Sequence, residues 1–186
     1  MNPKQFKIIY IAGNGHSGST LLDIVLGSAQ NAFSAGELTN ITRDGILEEY
    51  CSCHTQIKDC KLWSSVIKKW LSLIDISLED YKRLRYKYER NKTTIQVLHN
   101  YFFPSKDFLN YCKSTQKLFQ TIHDITGKTI IIDSSKTPQR ILVLKKVNEV
   151  KVIHLMRNAK GVLNSAKKTA QKDFKAGIEE NQTARR

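Results

Sequence analysis

Residues 13–20 read Gly-Asn-Gly-His-Ser-Gly-Ser-Thr. From Gly13 the spacing is glycine, four residues, glycine, as in a Walker A loop, but Ser19 stands where that loop carries its lysine. A loop of this kind can still hold an anion. Backbone N–H groups at the start of a following helix point at it, and the helix dipole adds to the attraction. Two further polar groups follow apolar runs. Asp133, Ser134, Ser135 and Lys136 end "KTIIIDSSK", and Arg157 comes just after "VKVIHLM".

Three of the four cysteines crowd into "CSCHTQIKDC", as Cys51, Cys53 and Cys60, with His54 alongside. Zinc is one reading. Against it, Cys-x-Cys is tighter than the usual ligand spacing, and no second Cys/His pair closes the set. A redox role is a second reading, although a disulfide does not persist in a cytosolic chain. Packing thiols are the main expectation, and Cys112, in a helical stretch, is expected in the core.

The elements that position these groups follow from hydrophobic patterning. "FKIIYIAG" (6–13) is a short, β-branched apolar run ending at glycine, which predicts a buried strand. "STLLDIVLGS" (19–28) has helical spacing at Leu21, Leu22, Val25 and Leu26. "NAFSAGELTNI" is a short strand or loop. Residues 45–126 read as a mainly helical insert, broken at Pro104, whose Trp, Tyr and Phe residues belong to the core. Buried strands return at 128–136 and 150–160. The helix between them has Pro138 in its first turn, and a basic helix follows from Gly161. The final "AGIEENQTARR" lacks an apolar stripe and is expected to fray. This order predicts an α/β domain: a parallel sheet flanked by helices, with ligands at the carboxyl ends of the strands.

The 186 residues suffice for one domain with a real core, and 40% hydrophobic with 25% charged residues is ordinary globular composition. No apolar run approaches the about 18–20 residues of a membrane helix. The start leads straight into the first strand and does not read as a signal peptide, so a cytoplasmic protein is expected. The net charge of +13 points to an anionic partner: nucleic acid, an acidic membrane surface or a phosphorylated small molecule. There is no aromatic-basic alternation of the kind found in RNA-binding sheets, which disfavours nucleic acid.

Taken in order, Gly-His-Ser-Gly-Ser-Thr-Leu-Leu, the acidic "AGELTNI", "DSSKTP" and "HLMRNAKGVLNS" resemble sulfotransferases that use 3′-phosphoadenosine 5′-phosphosulfate (PAPS). The likeness covers residues 6 to about 170. It is greatest to a bacterial type with this loop and more distant to tyrosylprotein sulfotransferases. The resemblance implies a P-loop NTPase-like fold. It also implies a domain that continues past the Arg157 helix, so that 1–186 would be a single domain lacking its carboxyl-terminal part.

The resemblance further implies roles. Gly15, His16, Ser17, Gly18, Ser19 and Thr20 would cradle the 5′-phosphosulfate. Arg157 would bind the 3′-phosphate, with Ser165, eight residues on, as second donor. His16 stands where relatives carry a loop lysine or arginine, and would assist the leaving phosphate. Glu37, in a Gly-Glu pair like that of the tyrosylprotein enzymes, would be the base for a hydroxyl or amine acceptor. Lys136 would reach the transferring group, oriented by Asp133 or Ser134. With no γ-phosphate to transfer, no metal is required in the reaction. The acceptor (glycan, lipid, peptide or small alcohol) stays open. A P-loop kinase with Asp133 as metal acid is one alternative. An inactive basic remnant of the fold, binding phosphate or nucleic acid, is the other.

Overall fold

A computed structural model of the chain describes residues 6–168 and 171. Strand β1 (Lys7–Gly13) leads through the glycine loop into helix α1 (Ser19–Gly27) and short strand β2 (Ala32–Ser34). Two 3-10 turns follow, Leu38–Thr42 and Ile46–Glu48. Then come four helices: α2 (Lys61–Leu73), α3 (Leu78–Tyr88), α4 (Thr94–Phe102) and α5 (Lys106–Thr126). Strand β3 (Ile130–Lys136), helix α6 (Pro138–Val147) and strand β4 (Val150–Leu155) complete the sheet. Helix α7 begins at residue 159 and is described as far as 168.

The sheet is parallel throughout, in the order β2-β3-β1-β4, which makes the fold α/β with a four-stranded sheet flanked by helices. Alternate residues of β1 serve opposite faces, as the two-residue period of a strand requires. Ile8, Tyr10 and Ala12 join the large core formed with α2–α6, while Ile11 joins a smaller cluster with Ala32 and Ile132 beneath α1. The aromatic residues of the insert are core. Trp70, Tyr81, Tyr88, Phe108, Tyr111 and Phe119 are all buried, and Trp70 Nε1 donates to the Ser114 carbonyl at 2.9 Å. Cys112 is buried among them.

Three expectations change. The strand at 150–155 is half exposed rather than buried, because it lies at the sheet edge beside β1. Helix α1 is partly inverted: Asp23 is buried, whereas Leu21, Ile24 and Val25 are exposed, and only Leu22 and Leu26 pack against the sheet. The insert is helical only from Lys61. Residues 43–60 are 3-10 turn and loop, closed by an isolated antiparallel bridge between Tyr50 and Gln56. The tail from residue 176, expected to fray, lies outside the described residues. No helix among the described residues is long and apolar enough to cross a membrane.

Candidate functional site

The carboxyl ends of β1, β3 and β4 and the chain leaving β2 bring the chemistry-bearing residues together. The sheet itself sets this up. Gly13 lies so close to β4 that a Cβ there would sit 2.5 Å from the Leu155 carbonyl oxygen, so only glycine fits. The chain then turns with His16 at φ 61° and Gly18 at φ 93°, and α1 starts without a side-chain cap. Its first-turn N–H groups have no intrahelical acceptors, and the N-cap residue, Gly18, has no side chain to supply one. Ser17 and Ser19 are buried, and Ser17 Oγ has no hydrogen-bond partner among the described residues. Gly15, His16, Gly18 and Thr20 are exposed. An exposed glycine turn at an uncapped helix start, with an orphaned hydroxyl beneath it, is suited to an anion.

Arg157 reaches this loop from the end of β4. Its Nη1 donates to the His16 carbonyl at 3.0 Å, and a Cβ on Gly161 would meet its Nε at 2.7 Å. Gly161 therefore leaves room for the guanidinium to lie across the first turn of α7. Asn158 caps that turn through its Oδ1, which accepts from the Lys160 N–H at 2.9 Å. Ser165 is half-buried in the described part of α7.

Lys136 ends β3 after a break in register. From Tyr10 to Ala12 β1 advances two residues, while from Asp133 to Lys136 β3 advances three. Such irregularities re-aim side chains next to functional sites. Lys136 adopts φ 68°, in the left-handed region that disfavours a side chain, and its Nζ is ion-paired with Glu37 Oε1. Glu37 arrives from the other side. Past β2 the chain stays beside β3, with the Ala35 N–H donating to the Ile132 carbonyl (3.0 Å) and the Ser134 N–H to the Gly36 carbonyl (2.9 Å). Gly36 turns at φ 67°, and Glu37 opens the following 3-10 turn.

The pair stands between two hollows. Glu37 lines a cavity of about 320 Å³ with Ser34, Ile41, Tyr50, Cys51 and Trp63. Lys136 lines a cleft of about 480 Å³ with Gly13, Asn14, Gly15, Pro138 and His154. Glu37 is absent from the second lining and Lys136 from the first.

Beneath them lies a polar network that sequence reasoning missed. Arg140, buried in α6, donates from Nε to Asp133 Oδ2 at 2.7 Å and from Nη1 to Glu89 Oε1 at 2.9 Å. Tyr111 also donates to Glu89, at 2.8 Å. The other oxygen of Asp133 accepts from the Ser135 N–H at 3.0 Å and from the Ser135 hydroxyl. That hydroxyl in turn accepts from the Thr39 N–H at 3.1 Å. Ser134 donates to Asp23 of α1 at 2.6 Å. Burial raises the Asp23 pKa above the usual carboxylate value, against the lowering effect of the Ser134 and Ser34 hydroxyls. Burial likewise raises Tyr10, the nearby Asp133 adding to it, and the Tyr10 hydroxyl donates to the Thr137 carbonyl at 2.8 Å.

Asp133 and Ser134 therefore brace β3 against α6, α1 and the Glu37 turn. The partner of Lys136 is Glu37. An arginine one turn into a helix that follows a strand-end aspartate was a legible signal for the network. Glu89, 51 residues away, was not.

The three loop thiols also meet. Cys60 Sγ lies 3.6 Å from Cys53 Sγ and 3.7 Å from Cys51 Sγ. Hydrogen bonds from the Thr55 hydroxyl and backbone lower the Cys53 pKa to about 7. Burial raises that of Cys60, although the Trp63 and Leu62 N–H groups at the start of α2 pull it down. Comparison of the chain with family models, with curated proteins and with solved structures found no match.

Proposed function

We propose that this chain is a PAPS-dependent sulfotransferase with a P-loop NTPase-like domain, transferring a sulfuryl group to a hydroxyl or amine acceptor. The observation that carries the reading is the Lys136–Glu37 ion pair, which separates a cleft on the glycine loop from the cavity at Glu37. A group-transfer enzyme needs such an arrangement: donor on one side, acceptor on the other, and charged groups where they meet.

In the proposed complex the donor's 5′-phosphate rests on residues 15–20, held by backbone N–H groups and by the hydroxyls of Ser17, Ser19 and Thr20. Ser17, buried without a partner among the described residues, gains one. Arg157 takes the 3′-phosphate, with Ser165 as second donor. Lys136 leaves Glu37 for the sulfuryl oxygens, which frees the carboxylate to accept a proton. The acceptor oxygen or nitrogen then attacks sulfur in line. The bond from sulfur to the bridging oxygen breaks, the acceptor proton passes to Glu37, and adenosine 3′,5′-bisphosphate departs. His16 meets the charge that grows on the bridging oxygen. Charge stabilised only as that bond breaks lowers the barrier rather than the ground state.

Asp133 fits the kinase alternative poorly. Both its oxygens are engaged, one by Arg140, inside a fully buried network. A magnesium ligand needs a free carboxylate oxygen near the phosphates.

Calorimetry with adenosine 3′,5′-bisphosphate, beside ATP with magnesium, tests the reading. The bisphosphate binds, and Arg157→Ala weakens it about 10- to 100-fold, the worth of a charge-assisted contact. Preference for ATP with magnesium, or an Arg157→Ala affinity equal to wild type, overturns it.

A further inference from the structure

We propose that Cys51, Cys53 and Cys60 form a binding site for a thiophilic divalent cation, with zinc as the reference ion, that holds the loop 43–60 in place. The sulfurs already lie where such an ion needs them. A tetrahedral zinc with bonds of about 2.3 Å to sulfur sets its sulfurs about 3.8 Å apart. Two of the three edges measure 3.6 Å and 3.7 Å, and all three sulfurs fall within 4.8 Å of one another.

The backbone makes this convergence. The Cys51 N–H donates to the Thr55 carbonyl at 2.8 Å, and the His54 N–H to the Cys51 carbonyl at 2.9 Å. His54 takes the left-handed φ of 64° that such a turn needs. The turn folds Cys53 back toward Cys51. Cys60 is delivered by the start of α2, where it stands at the N-cap position.

The loop also needs something to order it. Between residues 43 and 60, Cys60 alone is buried. The loop's regular structure is one 3-10 turn and one isolated bridge, and a loop this long with so little is ordinarily either functional or disordered. A metal supplies what apolar burial does not, since binding energy at a preformed thiolate set becomes folding energy. Each thiol releases its proton to solvent on binding. Among the described residues no fourth Cys, His, Asp or Glu joins the cluster, and Cys53 is exposed, so the fourth position takes water. Cys51 and Ser52 line the same cavity as Glu37, so the ion would fix one wall of that cavity.

The test uses the full chain, purified without oxygen in a non-thiol reductant, stripped with a chelator and titrated with cobalt(II). A thiolate-to-cobalt charge-transfer band saturating at one equivalent, and bleached by zinc, is the expected result. Cys53→Ser weakens binding by about 100-fold or more, since a lost ligand costs at least what a lost outer-shell partner does. Cys112→Ser leaves it unchanged. Cys53 is exposed and its replacement disturbs no packing; circular dichroism checks that the fold survives. Absence of the band in the folded, reduced chain overturns the proposal. So does a band that survives Cys53→Ser, or a disulfide between Cys60 and either neighbour in chain kept under reductant. Neither nucleotide nor turnover enters the readout, so this result stands apart from the test of the transfer reaction.

Discussion

Lys136 and Glu37, 99 residues apart in the chain, form an ion pair at the boundary between two hollows. Each residue is placed by backbone that few side chains tolerate. Lys136 is itself left-handed, and Glu37 follows a left-handed glycine. Non-glycine residues held in that region cost about 1–3 kcal/mol and concentrate at ligand sites.

Replacing Glu37 by Gln keeps the size of the side chain and removes its ability to accept a proton. In the proposed reaction, sulfuryl transfer is expected to fall about 100- to 10,000-fold, the usual worth of general base catalysis, with bisphosphate affinity unchanged. Steady-state kinetics beside calorimetry separates the two. Wild-type turnover in the Glu37→Gln variant ends the assignment of Glu37 as base.

Gly13→Ala tests the close approach of β1 to β4. The new Cβ would sit 2.5 Å from the Leu155 carbonyl oxygen, a backbone atom that cannot swing aside. Overpacking of this kind costs about 1–3 kcal/mol. Thermal melting is expected to show the loss. Gly15→Ala, where a Cβ meets nothing within 4 Å, is expected to leave the melting temperature close to wild type.

Arg140→Met leaves Asp133 and Glu89 buried without their cation. Removing one partner of a buried charge network costs about 3–5 kcal/mol, far more than any of the exposed pairs such as Arg83–Asp80. Urea denaturation measures it. Adding Asp133→Asn removes one of the stranded charges and is expected to restore part of the stability. Equal stability of Arg140→Met and wild type would mean that the network is not organised as described.

Cys53 has its pKa lowered from 9.0 to about 7, first by the Thr55 hydroxyl. The thiolate fraction therefore rises through neutral pH, whereas an ordinary thiol is still protonated there. In the metal-free reduced chain, alkylation of Cys53 is expected to be half-maximal near pH 7. Cys60 and Cys112, both raised, react later. Mass mapping after a short iodoacetamide pulse reads the order. Thr55→Val is expected to move the Cys53 midpoint upward.

Much of this architecture is written locally. The run "KIIYIAG" ending in a glycine loop, "IIIDSSK" ending in polar residues, and Pro138 in the first turn of a helix each specify an element through short-range sterics and hydrophobic period. Strands β1 and β3 and helices α1, α2, α5 and α6 lie where those patterns predict. The gathering of residues 13–20, Lys136 and Arg157 at one end follows as well, because parallel strands joined by helices all point the same way. Strand order is a different matter. That β4 is an edge and half exposed, and that α1 turns Asp23 inward and Leu21 outward, depends on which neighbour each face meets. The partner of Lys136, the Glu89–Arg140–Asp133 chain and the meeting of three thiols likewise join residues through space. In each case the sequence supplied ionisable or soft atoms, and the tertiary structure chose their partners, because desolvation and distance, on which their chemistry depends, exist only once the chain has closed.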